Sequence, residues 1–203
     1  MARLALGLAV VWLNFFVGGV DVLPNPVGWL VAALALRQVC DQHRMLRVAT
    51  ALAAAAGVVS LVAWVPVWGA PPHPPAPLVV IEGLLGAAVV VTVCTALVAV
   101  LADCDPSGAR QANVIRWLDP ALALGALALT GAVALQGAAV TDAATGPVTV
   151  LAVLLVATGL AVRVWFLVLV VRHGEPLAGA DDERPLGGDD LWLVERPGQS
   201  SGW

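Results

Sequence analysis

Six apolar runs, separated by short polar or proline-rich segments, dominate the pattern of the chain. The runs cover residues 4–20, 26–36, 48–68, 78–102, 121–140 and 148–171. An α-helix needs about 20 residues, each rising ~1.5 Å, to cross a hydrocarbon core of ~30 Å. Four runs reach that length, the first is slightly short, and the second spans only ~16 Å on its own. The pattern predicts an all-α fold, a polytopic transmembrane helical bundle of six spans.

The second run is too short to cross a bilayer and needs a physical explanation. Its helix can continue through Arg37 to residue 40 if the guanidinium group extends toward the lipid headgroups. Alternatively, the polar hinge 21–26 that precedes the run lies below the outer surface and is sheltered by other helices, because bare backbone cannot face lipid. We expect both effects, a second span over 26–40, and a water-accessible depression at the outer face.

The composition supports a membrane protein over a water-soluble one. Hydrophobic residues make up 60% of the 203 residues and charged residues 12%, and the mean hydropathy is +0.92. Typical globular domains have ~45–50% apolar and ~25% charged residues. A soluble domain of this size could not bury so much apolar surface, so the lipid bilayer is the expected partner.

The distribution of arginine predicts which way the spans run. If the N-terminus is cytoplasmic, the arginines in loops and at span ends all fall on the cytoplasmic side. They are Arg3, Arg37, Arg44, Arg47, Arg110, Arg116 and Arg172. The predicted outer loops, 21–25, 69–77 and 141–147, contain no arginine. By the positive-inside rule, both termini are cytoplasmic.

Residues 173–203 differ from the transmembrane domain 1–172, since they contain seven acidic residues and two arginines. Their Gly-, Pro- and Asp-rich sequence predicts a disordered acidic cytoplasmic tail. Within the tail, Leu191, Trp192 and Leu193 form a short apolar patch with acidic flanks. The patch either docks on a cytoplasmic protein partner, folds back on the membrane surface, or is simply part of an unstructured tail. The chain has no basic face of useful size, which argues against nucleic-acid binding.

Tryptophan and proline positions fit the predicted spans. An interfacial belt accounts for the tryptophans near span ends: Trp29, Trp64 and Trp68 at the outer boundary, Trp117 and Trp165 at the inner one. Proline suits the first position of a helix, where its missing N–H would have no partner. Four prolines fit that position: Pro26, Pro77, Pro120 and Pro147. Asn25 and Asp119 precede two of them and are predicted to cap those helices.

Four polar residues near the outer face are candidate ligand-binding residues: Asn14, Asp21, Asn25 and Glu82. Polar groups in spans are costly to leave without a partner and are often functional. If their side chains face a common depression, these residues would bind a cation or a small solute. Alternatively, Asp21 accepts backbone N–H bonds in a turn, Asn25 caps the second span, and Glu82 complements a helix dipole.

Other unusual residues have structural explanations. Pro24, Pro26 and Gly28 shape the hinge, and Arg163 lies ~22 Å into the last span, where it is predicted to extend to the inner interface beside Trp165. Cys40, Cys94 and Cys104 lack metal-ligand spacing, so neither a metal site nor a cofactor is expected. Familiar catalytic motifs are missing, and the protein is not expected to be an enzyme.

The hinge sequence Asp21-Val22-Leu23-Pro24-Asn25-Pro26-Val27-Gly28-Trp29 resembles a motif of small bacterial polytopic membrane proteins. In those proteins an Asp-x-Leu-Pro-Asp/Asn-x-x-Gly-aromatic turn follows the first span. The resemblance covers about twenty residues, and it implies a multi-pass protein of the inner (cytoplasmic) membrane. Asn25 stands where a second acidic residue is expected, which weakens a metal or proton role. The resemblance implies no particular activity.

Two functional hypotheses follow from the sequence. The first is a non-enzymatic accessory or scaffold protein whose tail and basic loops meet cytoplasmic partners. The second is a small-solute transporter, or the substrate-binding membrane subunit of one, with an outward-facing pocket near Asp21 and Glu82. They differ in whether these two carboxylates line a pocket with Asn14 or point to the headgroups.

Overall fold

The computed structural model describes residues 1–13, 16–17, 20–21, 25–64, 76–136 and 142–174. These residues form six α-helices and one pair of two-residue strands. In chain order they are α1 (Ala2–Leu13), β1 (Phe16–Val17), β2 (Val20–Asp21), α2 (Asn25–Arg37), α3 (Arg44–Trp64), α4 (Ala76–Leu101), α5 (Pro106–Gln136) and α6 (Asp142–His173). The predicted all-α class is confirmed for this part of the chain, apart from the antiparallel β1–β2 pair. The tail from residue 175 onward lies outside the described residues.

Four of the helices are long and apolar enough to cross a membrane. Their candidate spans are Arg44–Ala63, Pro77–Leu101, Pro106–Val133 and Gly146–His173. By contrast, α1 has 12 residues and α2 has 13. At ~1.5 Å per residue they extend only ~18–20 Å, short of the ~30 Å of a hydrocarbon core. The described chain thus combines four helices of membrane length with two short ones.

Each helix packs against the next along the chain, and α6 returns to contact α1. The turn at residues 38–43 joins α2 to α3, and the turn at 102–105 joins α4 to α5. His173 at the end of α6 contacts Asp105 in the second turn. We call this end of the bundle, formed by both turns, the start of α1 and the end of α6, the basic end. The short helices α1 and α2 both have one end here.

Two glycines allow α1 and α2 to meet backbone to backbone. A Cβ added to Gly7 would lie 2.6 Å from the Ala32 nitrogen and 2.7 Å from the Gly28 oxygen. A Cβ added to Gly28 would lie 2.7 Å from the Gly7 oxygen. Any larger residue would force the helices apart, as at other small-residue contacts between membrane helices. Gly28, predicted to be structural, lies at this contact.

The buried core lies toward the basic end. It includes residues of α1 to α4 but only the basic-end halves of α5 and α6, such as Ile115 and Phe166. The opposite halves of α5 and α6 are apolar and exposed, with Leu124 57% and Val156 69% accessible. Bilayer lipid is the medium that tolerates such a surface. The two long helices thus continue beyond the level where α1 and α2 end.

Two predicted helix starts are wrong. Helix α5 begins at Pro106, so Asp119 and Pro120 lie in its interior and Asp119 caps nothing. Helix α6 begins at Asp142, five residues before Pro147. Helices α2 and α4 begin at Asn25 and Ala76, so Pro26 and Pro77 lie in their first turns as predicted. In hydrocarbon a continuous helix is favoured because it satisfies its own backbone, and one missing proline N–H is tolerated there when neighbours compensate.

Candidate functional site

An ion pair joins α5 to α6 in the middle of the bundle. Arg163 Nε lies 3.5 Å from Asp119 Oδ1, within hydrogen-bond reach. The Asp119 side chain is 3% exposed and that of Arg163 32% exposed. Arg163 thus pairs with a carboxylate of α5, which the sequence did not predict, and its place at the inner interface stays a prediction. The pair was missed because Asp119-Pro120 has the sequence of a capped helix start, whereas Asp119 lies inside α5.

An aromatic residue of α1 completes this polar cluster. The Arg163 guanidinium carbon lies 5.3 Å from the centre of the Trp12 ring, which is cation–π distance. The Trp12 ring in turn contacts Phe166, one turn beyond Arg163, with ring centres 6.0 Å apart. Arg163 thus links three helices, α1, α5 and α6. We call Trp12, Asp119 and Arg163 the charged cluster.

The charged cluster lies far from the ends of its helices. Asp119 is 13 residues after the start of α5, and Arg163 is 10 residues before the end of α6. These separations correspond to ~20 Å and ~15 Å from the basic end. If lipid surrounds the helices, the pair lies near the middle of a ~30 Å core. Charged groups at that depth are costly and usually pair with each other.

One oxygen of the pair has no partner. Asp119 Oδ2 is buried and accepts no hydrogen bond. A buried carboxylate oxygen without a donor costs free energy, because in water it would be solvated. The cluster can therefore hold the three helices together, and Asp119 retains the capacity to accept one further donor.

A second polar contact joins α2 to α4. Trp29 Nε1 donates to Glu82 Oε1 over 3.0 Å. Trp29 is only 1% exposed, so its predicted place in an outer interfacial belt is wrong. Two glycines make room for it: a Cβ on Gly57 would lie 3.3 Å from Trp29 Cβ, and one on Gly86 3.4 Å from its ring. Glu82 therefore binds a core residue of α2.

The other predicted ligand-binding residues are only partly described. Asn25 lies one turn before Trp29 on α2, and its Oδ1 is buried without a hydrogen-bond partner, so the predicted cap is wrong. Asp21 belongs to β2, and its side chain lies outside the described residues. Asn14 and Pro24 lie outside them altogether. Their proposed convergence on a shared ligand stays a prediction.

A third polar contact, at the basic end, was not predicted. Asp105 Oδ1 accepts hydrogen bonds from the backbone N–H groups of Ser107, at 3.1 Å, and Gly108, at 3.0 Å, and so caps α5. Asp105 Oδ2 lies 2.6 Å from His173 Nδ1 at the end of α6. The Gly108 N–H, followed by the Ser107 hydroxyl, lowers the pKa of the Asp105 carboxyl, and His173 adds to this. The sequence signal was the dipeptide Asp-Pro. The same dipeptide occurs at residues 119–120, inside α5.

Among the residues that the structure describes, no three His, Cys, Asp or Glu side chains are grouped so as to hold a metal ion. Comparisons with known proteins add no assignment: no family model, curated protein or solved structure matches the chain. The resemblance of the hinge to a bacterial membrane-protein motif stays a prediction. Function must therefore be inferred from the geometry of the polar contacts between helices.

Proposed function

We propose that the protein is a non-enzymatic accessory or scaffold protein of the inner (cytoplasmic) membrane. One observation carries the proposal: the Arg163–Asp119 pair joins α6 to α5, and the ring of Trp12 on α1 contacts Arg163. Likewise, Glu82 is engaged by Trp29. Charges used this way hold helices in one arrangement, which is what a membrane scaffold requires.

In this proposal all six helices are membrane-embedded and the basic end faces the cytoplasm. The arginine distribution supports that orientation, because Arg37, Arg44 and Arg47 flank one turn at the basic end. The acidic tail would then extend into the cytoplasm from the end of α6. Its apolar patch, Leu191 to Leu193, would be the contact for a protein partner.

Site-specific crosslinking tests the scaffold role. A photo-reactive amino acid replaces Trp192 in the full-length protein, and the matched control carries it at Trp203 of the same tail. We expect a discrete crosslinked protein from position 192 in intact membranes and none from position 203. Crosslinking to lipid alone, or equal crosslinking from both positions, would contradict a partner-binding patch.

The second candidate function is small-solute transport, and one observation favours it. Because α1 and α2 are only ~18–20 Å long, they do not extend through the half of the bundle that lies opposite the basic end. The longer helices form that half. A depression there would bring Asn25, with its unpartnered Oδ1, close to solvent. Flux of protons or monovalent cations into proteoliposomes that is lost in Glu82→Gln would support transport over the scaffold role.

A further inference from the structure

A groove at the basic end combines positive charge with apolar walls. It has a volume of about 600 Å³ and lies between the outer faces of α1 and α2. Its lining residues are Arg3, Val31, Leu34, Ala35, Arg37 and Gln38. A cavity of about 350 Å³ adjoins it, since Arg3, Ala35 and Gln38 line both. Neither of the functional hypotheses above uses this groove.

The arginines of the groove are available to a ligand. Arg3 and Arg37 are exposed, and no residue lining the groove is acidic. In the described part of the chain, neither guanidinium group forms an ion pair. The acid in the next turn, Asp41, is paired with Arg47 at 3.6 Å. Two unpaired guanidinium groups at one groove suit a phosphate, which accepts several charge-assisted hydrogen bonds.

An apolar stripe on α2 leads away from these charges. Val27 is 52%, Leu30 58% and Leu34 51% exposed. The three residues are spaced three and four apart, so they share one face of the helix. The stripe is ~10 Å long. It runs from the groove along α2 toward the start of that helix at Asn25. A ligand that fits both regions has an anionic head and a hydrocarbon chain.

We propose that this groove binds an anionic phospholipid, with Arg3 and Arg37 at its phosphate and an acyl chain along Val27, Leu30 and Leu34. The inference depends on the proposed membrane embedding with the basic end at the headgroups, and it adds a specific lipid site. Basic sites between helices at the cytoplasmic side are suited to anionic headgroups. A free phosphate ion would use the arginines but leave the apolar stripe without a role.

Native mass spectrometry of the full-length protein in detergent, titrated with phosphatidylglycerol or phosphatidylcholine, tests the proposal. The groove variant is Arg3→Gln/Arg37→Gln, and the matched control is Arg110→Gln/Arg172→Gln. The control removes the same charge at exposed arginines of α5 and α6 outside the groove. We expect phosphatidylglycerol to bind roughly tenfold more weakly to the groove variant, and the control to stay close to wild type. Phosphatidylcholine should bind the wild type more weakly than phosphatidylglycerol.

Three outcomes would overturn the lipid site: equal weakening in both double variants, equal binding of the two lipids, or displacement of phosphatidylglycerol by millimolar inorganic phosphate. Leu34→Gln provides an independent check, since it should weaken lipid binding without removing charge. Flotation with liposomes tests membrane embedding separately from the lipid site. A protein that does not float with liposomes contradicts membrane embedding, whereas one that floats but fails the titration contradicts the lipid site alone.

Discussion

At the scale of single residues, the charged cluster places a costly buried charge among the described helices. Asp119 is buried and uses one oxygen for Arg163, while the other oxygen has no partner. The cost of burying a carboxylate is offset mainly by the neighbouring cation, whose own face lies over Trp12. Removing either charge should therefore be worse than removing both.

Arg163→Leu is expected to destabilise the protein by about 3–5 kcal/mol, because the Asp119 carboxylate stays buried without a cation. Asp119→Leu/Arg163→Leu should recover most of that loss, since neither leucine needs a partner. Arg172→Leu, at an exposed position of the same helix, is the control and should change little. Unfolding midpoints in detergent measure all three. A double variant as unstable as Arg163→Leu would show that the pair is not the cause.

Trp29→Phe should cost about 1–2 kcal/mol, because it keeps most of the buried ring but leaves Glu82 without its N–H donor. Trp117→Phe is the matched control, since Trp117 is 63% exposed, and its effect should stay within about 0.5 kcal/mol. The same unfolding assay compares them. Equal effects of the two substitutions would mean that the Trp29–Glu82 hydrogen bond contributes nothing measurable.

Which residues carry these contacts was only partly predictable. Hydropathy places a residue along a helix axis, so Glu82, Asn25 and Arg163 could be identified as unusual. The direction in which a side chain points depends on the neighbouring helix, and no periodicity reveals that. Trp29 was therefore expected at a membrane surface, although Gly57 and Gly86 open a buried site for it.

At the scale of elements, the contact between α1 and α2 depends on two glycines. The helices approach so closely at Gly7 and Gly28 that backbone atoms of one occupy the space of a Cβ on the other. Such contacts gain van der Waals packing that lipid cannot supply. The helices are short, so this one crossing carries much of their association.

Gly7→Ala is expected to destabilise the protein by about 1–3 kcal/mol, because the added Cβ overlaps backbone atoms of α2 that cannot rotate away. Gly131→Ala is the control, since a Cβ there meets nothing within 4 Å. That substitution should be neutral or stabilise its helix by up to ~1 kcal/mol. Chemical or thermal unfolding of the purified variants provides the comparison. Equal stability of the two would contradict the close crossing.

Asp105, which caps α5, predicts how the stability of the protein depends on pH. Its pKa is lowered in the folded state, so its contribution to stability is complete above the unfolded value of ~3.9 and is lost as pH falls below it. Asp105→Asn keeps a capping oxygen but removes the charge that faces His173. The variant should be less stable than wild type at neutral pH, and the difference should shrink as pH falls below ~4.

The control for this pH series is Asp103→Asn, at an exposed carboxylate of the same turn. Its difference from wild type should be small at neutral pH. Thermal midpoints measured across the acidic range are sufficient for the comparison. An Asp105→Asn variant whose deficit persists unchanged well below ~4 would indicate a purely structural effect of the substitution.

The elements themselves were predictable where apolar runs are uninterrupted, as in α3 and α4. The start of α5 was not, because Asp119-Pro120 has the sequence of a capped helix start while the surrounding chain continues as one helix. The same pattern at Asp105-Pro106 is the real start. The dipeptide is the same at the two positions, but Ser107 and Gly108 follow the first, whereas Ala121 and Leu122 follow the second.

At the scale of the whole molecule, the structure combines a core near the basic end with long apolar helices that extend past it. Four helices are long and apolar enough to cross a membrane, while α1 and α2 reach only part of that distance. The pattern of apolar runs was sufficient to predict the all-α class. It did not predict that α1 ends at Leu13 and α2 at Arg37, short of the predicted spans 4–20 and 26–40.

Cys104, a native residue at the basic end, can report whether lipid surrounds the helices and the basic end faces the cytoplasm. Cys104 is exposed in the turn at 102–105, while Cys94 is buried. A Cys40→Ser variant, with or without Gly69→Cys in the predicted outer loop, is treated with a membrane-impermeant thiol reagent. We expect position 69 to be labelled in intact cells and Cys104 only after the membrane is opened. Labelling of Cys104 in intact cells would contradict that expectation.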